Sequence, residues 1–185
     1  MDECVIKRWN NAMINKINNI TLKGIIDEDF VNYKVPSMTL MFPKCSLKCD
    51  KEYGMSLCHN SPLLKEPDVS ISINKLVDRY LNNNITEAIV CQGMEPFDSF
   101  NELLELIYAI RIKRHCNDVI VIYTGYNKFE ILGKLIQLVF YDNIIVKFGR
   151  FVPDQKPHYD EVLGVYLASD NQYAEKISWE KNIND

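Results

Sequence analysis

The stretch "DVIVIYTG" (118–125) decides how the rest of the chain is read. It is a β-branched run with no polar break, closed by a glycine. A strand with one solvated face alternates polar and apolar residues, and an unbroken run is the mark of a parallel strand covered on both faces. Upstream, "EAIVCQG" (87–93) has the same form, and "SMTLMF" (37–42) is a third short apolar run, stopped by Pro43. Downstream, "NIIVKFG" (143–149) repeats it, and "VLGVYLA" (162–168) offers one more.

Helical spacing fills the intervals. Ile73, Leu76, Val77, Tyr80 and Leu81 mark one face of a helix over 72–83, and Phe100, Leu103, Leu104, Ile107 and Ile110 mark the next. Ser99 with Glu102 reads as a capping box, and Asn127 with Glu130 opens a third helix running to about Val139. Strand and helix therefore alternate, which predicts an α/β fold with a mostly parallel sheet and right-handed crossovers. "ITLKGIIDEDFVNYKV" (20–35) reads as a strand and turn before the core, and 151–161, with Pro153 and Pro157, as a surface loop. One domain is expected over 1–185, with its core at about 20–172 and an N-terminal extension over 1–19. Ligands of such sheets sit beyond the C-terminal strand ends. That rule directs attention to the segment after 37–42, to "QGMEP" (92–96), "YTGY" (123–126), "FGRF" (148–151) and "ASDNQ" (168–172).

A net charge of −4 gives no reason to expect a nucleic-acid or membrane-surface partner. The N-terminus lacks the pattern of a secretory signal, and no apolar run is long enough to span a bilayer. The expected compartment is cytoplasmic, where thiols stay reduced and clustered cysteines read as metal ligands. Three of the six cysteines lie in "PKCSLKCDKEYGMSLCHN" (43–60), spaced C-x3-C-x8-C at Cys45, Cys49 and Cys58. Cys4, Cys91 and Cys116 read as buried or incidental residues. Structural zinc needs four ligands; His59 directly follows Cys58, and no C-x-x-C pair exists. Three thiolates suit an iron–sulfur cluster with one open iron, where a substrate or cofactor can bind. Zinc and free thiols are the competing readings.

Taken together, the three-cysteine loop with its "CHN" (58–60), "QGMEP", "VIVIYTGYNKFEIL" (119–132), "FGRF" and "SDNQ" (169–172) resemble the radical S-adenosylmethionine (SAM) superfamily. Within it they are most similar to the glycyl-radical activases of anaerobic ribonucleotide reductases. The order of the motifs matches from about Ile20 to Gln172. The chain departs from the usual C-x3-C-x2-C loop, has Leu57 where an aromatic residue is usual, and has Met94 at a usual glycine.

The resemblance implies a partial (β/α) barrel and a [4Fe–4S] cluster on Cys45, Cys49 and Cys58 that reductively cleaves SAM. Gly93, Met94 and Glu95 would hold the methionine end. Leu57, Cys58 and His59 would contact adenine. Thr124, Gly125, Ser169 and Asn171 would line the nucleoside side. The implied partners are a large glycyl-radical enzyme, an anaerobic ribonucleotide reductase, and a flavodoxin- or ferredoxin-type electron donor. The alternatives are a radical SAM enzyme for a small molecule, similar to deazapurine synthases, and a non-catalytic iron–sulfur or zinc protein.

Overall fold

The computed structural model describes residues 17–54, 58 and 60–178. Its centre is a six-stranded sheet. The strands β1 (Asn19–Leu22), β2 (Gly24–Asp29), β3 (Ser37–Phe42), β4 (Val69–Ser72), β5 (Ala88–Gly93), β6 (Val119–Tyr123) and β7 (Ile144–Phe148) are followed by β8 (His158–Asp160), β9 (Val165–Leu167) and β10 (Tyr173–Ile177). In the sheet β3, β5, β6 and β7 are parallel neighbours, flanked by antiparallel β2 and β10. β1 pairs with β4, and β8 with β9, as two separate ribbons. The result is a mixed α/β fold with an open sheet; among the described residues no closed barrel forms.

The helices are α1 (Lys48–Tyr53), α2 (Ile73–Leu81), α3 (Phe100–Tyr108) and α4 (Leu132–Leu138). The parallel strands advance in one direction across the sheet, so right-handed crossovers put their helices on the same face. Burial follows this. Ile89, Cys91, Ile120, Ile122, Ile144, Val146 and Phe148 pack in one cluster with the buried stripes of α2, α3 and α4. Val90, Val121 and Ile145 point the other way and pack with Tyr33, Leu163 and Leu167. That second face is only partly covered, by the β2–β3 turn and the β8–β9 ribbon, and it holds the cavity described below. Among the described residues no helix is long and apolar enough to cross a membrane.

Three local readings change. Ser99 and Glu102 form no capping box: the Ser99 hydroxyl and Glu102 Oε2 have no hydrogen-bond partner. The chain instead enters α3 through a 3-10 turn at Pro96–Ser99, whose cap is Glu95, accepting from the Phe97 amide at 3.1 Å. The Asn127–Glu130 box does form, at 2.8 and 3.0 Å, but it opens a 3-10 turn (Phe129–Ile131) before α4 ends at Leu138. The 151–161 segment contains β8, and β10 was not anticipated in the irregular tail.

Candidate functional site

The cysteine loop leaves β3 at Phe42 and reaches Cys45, whose sulfur accepts the Leu47 amide at 3.3 Å. Leu47 takes a left-handed conformation (φ 53°) and starts α1, which carries Cys49. The long gap to Cys58 is thus partly helical, and both sides of it are tied down. Asp98 accepts from the Ser46 amide at 2.8 Å and from the Tyr126 hydroxyl at 2.6 Å. Asp50 accepts from the Cys58 amide at 3.0 Å, and the Asn60 side chain donates to the Gly93 carbonyl at 2.7 Å.

Cys45, Cys49 and Cys58 line one cavity of about 390 Å³, together with Gly93, Met94, Glu95, Thr124 and Gly125. The structure therefore brings together five of the residues implied for SAM with the three thiols. Leu57 and His59 lie outside the described residues. Ser169 and Asn171 do not line the cavity. Ser169 is fully buried, its hydroxyl accepting from the Val152 amide at 3.3 Å, and the Asn171 side chain donates to the Arg150 carbonyl at 2.8 Å. From that segment Ala168 and Gln172 face the cavity instead.

Burial pushes the Cys45 thiol up to about 11 and also raises Cys49, with Cys58 adding to both. In this state the first two are protonated thiols, and a cluster that demands thiolates would release their protons on binding. Among the described residues no three Cys, His, Asp or Glu side chains are grouped as ligands of one metal ion. Three thiols on one cavity are one short of the four ligands that structural zinc takes, and they suit a polynuclear cluster, whose ligands sit on different irons. The donor set fits such a group.

The turn after β5 is shaped by β3. Gly93 has φ +97°, and a Cβ there would lie 2.8 Å from Met41 Cα and from the Phe42 nitrogen. The Met94 amide donates to the Phe42 carbonyl at 3.1 Å. Glu95 is 5% exposed and accepts from the Thr124 hydroxyl at 2.8 Å and the Gly125 amide at 2.9 Å, besides Phe97. Burial outweighs those bonds and holds its carboxyl up at about 7.

Several residues of the site had no role assigned from the sequence, even where a motif contained them. Arg150 forms a two-bonded pair with Glu130 at 2.8 and 3.1 Å, which with Lys48–Glu130 at 3.2 Å fastens α1 to the Asn127 turn. Hydrogen bonds from Arg150 hold Glu130 down at about 2. Asp98 and Asp50 anchor the loop through backbone amides, which no spacing rule detects. Lys147 is buried on the cavity face of β7, and burial lowers it to about 8. Its one sequence signal is a lysine inside the apolar run "NIIVKFG".

The model of a family described as a 4Fe-4S single cluster domain matches residues 36–172, from the start of β3 to the turn before β10. No curated protein and no solved structure matches the chain.

Proposed function

The chain belongs to the 4Fe-4S single cluster domain family, and from that premise we propose that it is a radical SAM protein. Cys45, Cys49 and Cys58 hold a [4Fe–4S] cluster, and SAM shares their cavity. The observation that carries this is the convergence of three thiols and the ends of β5, β6 and β7 on one cavity. When bound, the cluster supplies one electron, received from a flavodoxin- or ferredoxin-type donor, for cleaving a carbon–sulfur bond of SAM. The chain's own residues orient and enclose. The Gly93–Glu95 turn holds the methionine end, Thr124 and Gly125 line the nucleoside side, and the cavity walls limit water around the radical formed.

The hydrogen donor in this reading is a glycine of a large partner, an anaerobic ribonucleotide reductase. The open sheet supports it, since the face that holds the cavity is only partly covered. Positioning by that loop accounts for coupling, because correct placement of a reacting hydrogen is worth several kcal/mol, up to roughly 7–11. A second reading, a small-molecule substrate, is favoured by one observation, the buried Lys147 in the cavity wall.

Anaerobic reconstitution tests the base of the proposal. It should give about four irons and four sulfides per chain, lost in Cys45→Ala, Cys49→Ala or Cys58→Ala and kept in Cys91→Ala. Adding SAM should alter the electron paramagnetic resonance (EPR) signal of the reduced cluster, and mixing with the reductase should produce a glycyl-radical doublet. One zinc without sulfide, or a cluster indifferent to SAM, refutes the reading. Turnover of a small molecule with no glycyl radical selects the second.

A further inference from the structure

Lys147 stands in register between Tyr123 of β6 and Ala174 of β10, on the partly covered face of the sheet. It is 7% exposed and lines the thiol cavity. Its Nζ donates to the Gly149 carbonyl at 2.8 Å and lies 6.0 Å from the centroid of the Tyr123 ring. Among the described residues no carboxylate forms an ion pair with it. Glu95, the buried acid of the same cavity, uses both oxygens on Phe97, Thr124 and Gly125. Arg150, the other cation lining the cavity, is engaged by Glu130 and Glu52.

Buried charges are ordinarily paired, because desolvation without a counter-charge is costly. A position flanked by Val146 and Phe148 in a parallel strand would accept an aliphatic side chain at no such cost. An ammonium has three N–H donors, and the Gly149 carbonyl accounts for one. The lysine thus has charge and donors to offer to something in the cavity that the chain itself does not supply. Burial lowers its pKa, and the attraction of Glu95 and Cys49 offsets this only in part.

We propose that Lys147 anchors an anion site at the β7 end of the cavity, taking the carboxylate or phosphate of a small molecule bound beside SAM. The second molecule rests on the small-molecule reading of the proposed function, with the methionine end of SAM at the Gly93–Glu95 turn. That turn ends β5, and β7 lies two strands away, roughly 10 Å at ordinary strand spacing. One group reaching Lys147 and another held at Gly93 therefore belong to different ends of the cavity, and the anion belongs to the molecule acted on.

The test uses the full chain, reconstituted anaerobically, with acetate and inorganic phosphate as probes at constant ionic strength set with chloride. The melting temperature of the wild type should rise by several degrees with acetate, with phosphate, or with both, and the more effective anion identifies the group. Lys147→Met should show no rise, and Lys147→Arg should keep part of it. An equal rise in wild type and Lys147→Met, or no rise in wild type with either anion, overturns the site. In calorimetric titrations, SAM affinity should change less than about threefold in Lys147→Met. A loss of tenfold or more for SAM but not for methylthioadenosine, which lacks the carboxylate, would give the anion to SAM itself and overturn the second molecule. If SAM fails to bind the wild type, the SAM reading falls, while the acetate and phosphate arms still decide whether the anion site exists.

Discussion

Gly93 shows how a single residue can be constrained for a reason its motif does not suggest. The sequence pattern puts a glycine where a ligand approaches the backbone. In the structure the obstruction is internal: an added Cβ meets the backbone of Met41 and Phe42 at 2.8 Å, at a φ of +97° that side chains rarely adopt. β3 and β5 pair through Phe42 and Gly93, and the cysteine loop starts directly after. Gly93→Ala should therefore lower stability by about 2–4 kcal/mol, from strain and a backbone shift together. Urea unfolding of the metal-free chain measures it, and iron uptake should fall in parallel. Retained stability with a selective loss of SAM binding would return the glycine to its ligand role.

At the scale of elements, the cysteine loop replaces a short tight spacing with a helix and two anchors. The third thiol can serve the site despite its long gap because the Asp50 carboxylate, one turn into α1, holds the Cys58 amide at 3.0 Å. Asp50→Ala removes that acceptor, and hydrogen bonds to charged groups contribute about 1.5–3 kcal/mol. Iron retention against a chelator should drop by about tenfold or more, whereas Asp50→Asn, which keeps an acceptor oxygen, should recover much of it. Equal behaviour of the two variants would mean that Asp50 does not position Cys58. Elements of this kind also show what sequence can convey. The runs at 37–42, 87–93, 118–125 and 143–149 were legible because burial on both faces leaves an unbroken apolar signature. The stripes of α2 and α3 were legible through their period. Ser99 failed as a cap because Pro96 and Glu95 had already started a 3-10 turn, a competition among neighbours that a two-residue rule cannot weigh. β8 and β10 form short or edge pairings whose residues are only partly buried, so their pattern was weak, whereas β9 falls inside the apolar run at 162–168. The strand-end motifs pointed to the cavity wall. Lys147 in that wall, and Asp98 and Asp50 outside its lining, contribute through tertiary contacts and burial.

At the scale of the whole molecule, helices cover one face of the sheet while the other carries polar and ionisable groups around a cavity. This arrangement has a cost that pH can expose. Burial holds Lys147 at about 8 against its ordinary 10.5, so between those values the folded chain binds fewer protons than the unfolded chain. The lysine's contribution is fully present above 10.5 and is lost as pH falls through about 8. Glu95 runs oppositely: with its carboxyl raised to about 7 from 4.5, its contribution is present below 4.5 and lost as pH rises through 7. Between about 7 and 8 both groups are at least half charged inside the fold, and the metal-free chain bears most of the desolvation of its site. Replacing Lys147 with methionine, similar in length and apolar, removes one of the two charges. Lys147→Met should therefore be more stable than wild type at pH 7.5 by roughly 1–4 kcal/mol, the range of stabilisation seen when buried ionic groups are replaced by apolar ones. The advantage should shrink toward zero as pH rises above 10.5, where the wild-type amine is neutral in both states. Urea unfolding of the reduced, metal-free chain at several pH values reads the difference directly. An advantage that stays constant with pH would show that the lysine is not desolvated, and a wild type more stable at pH 7.5 would show that the fold itself supplies its counter-charge.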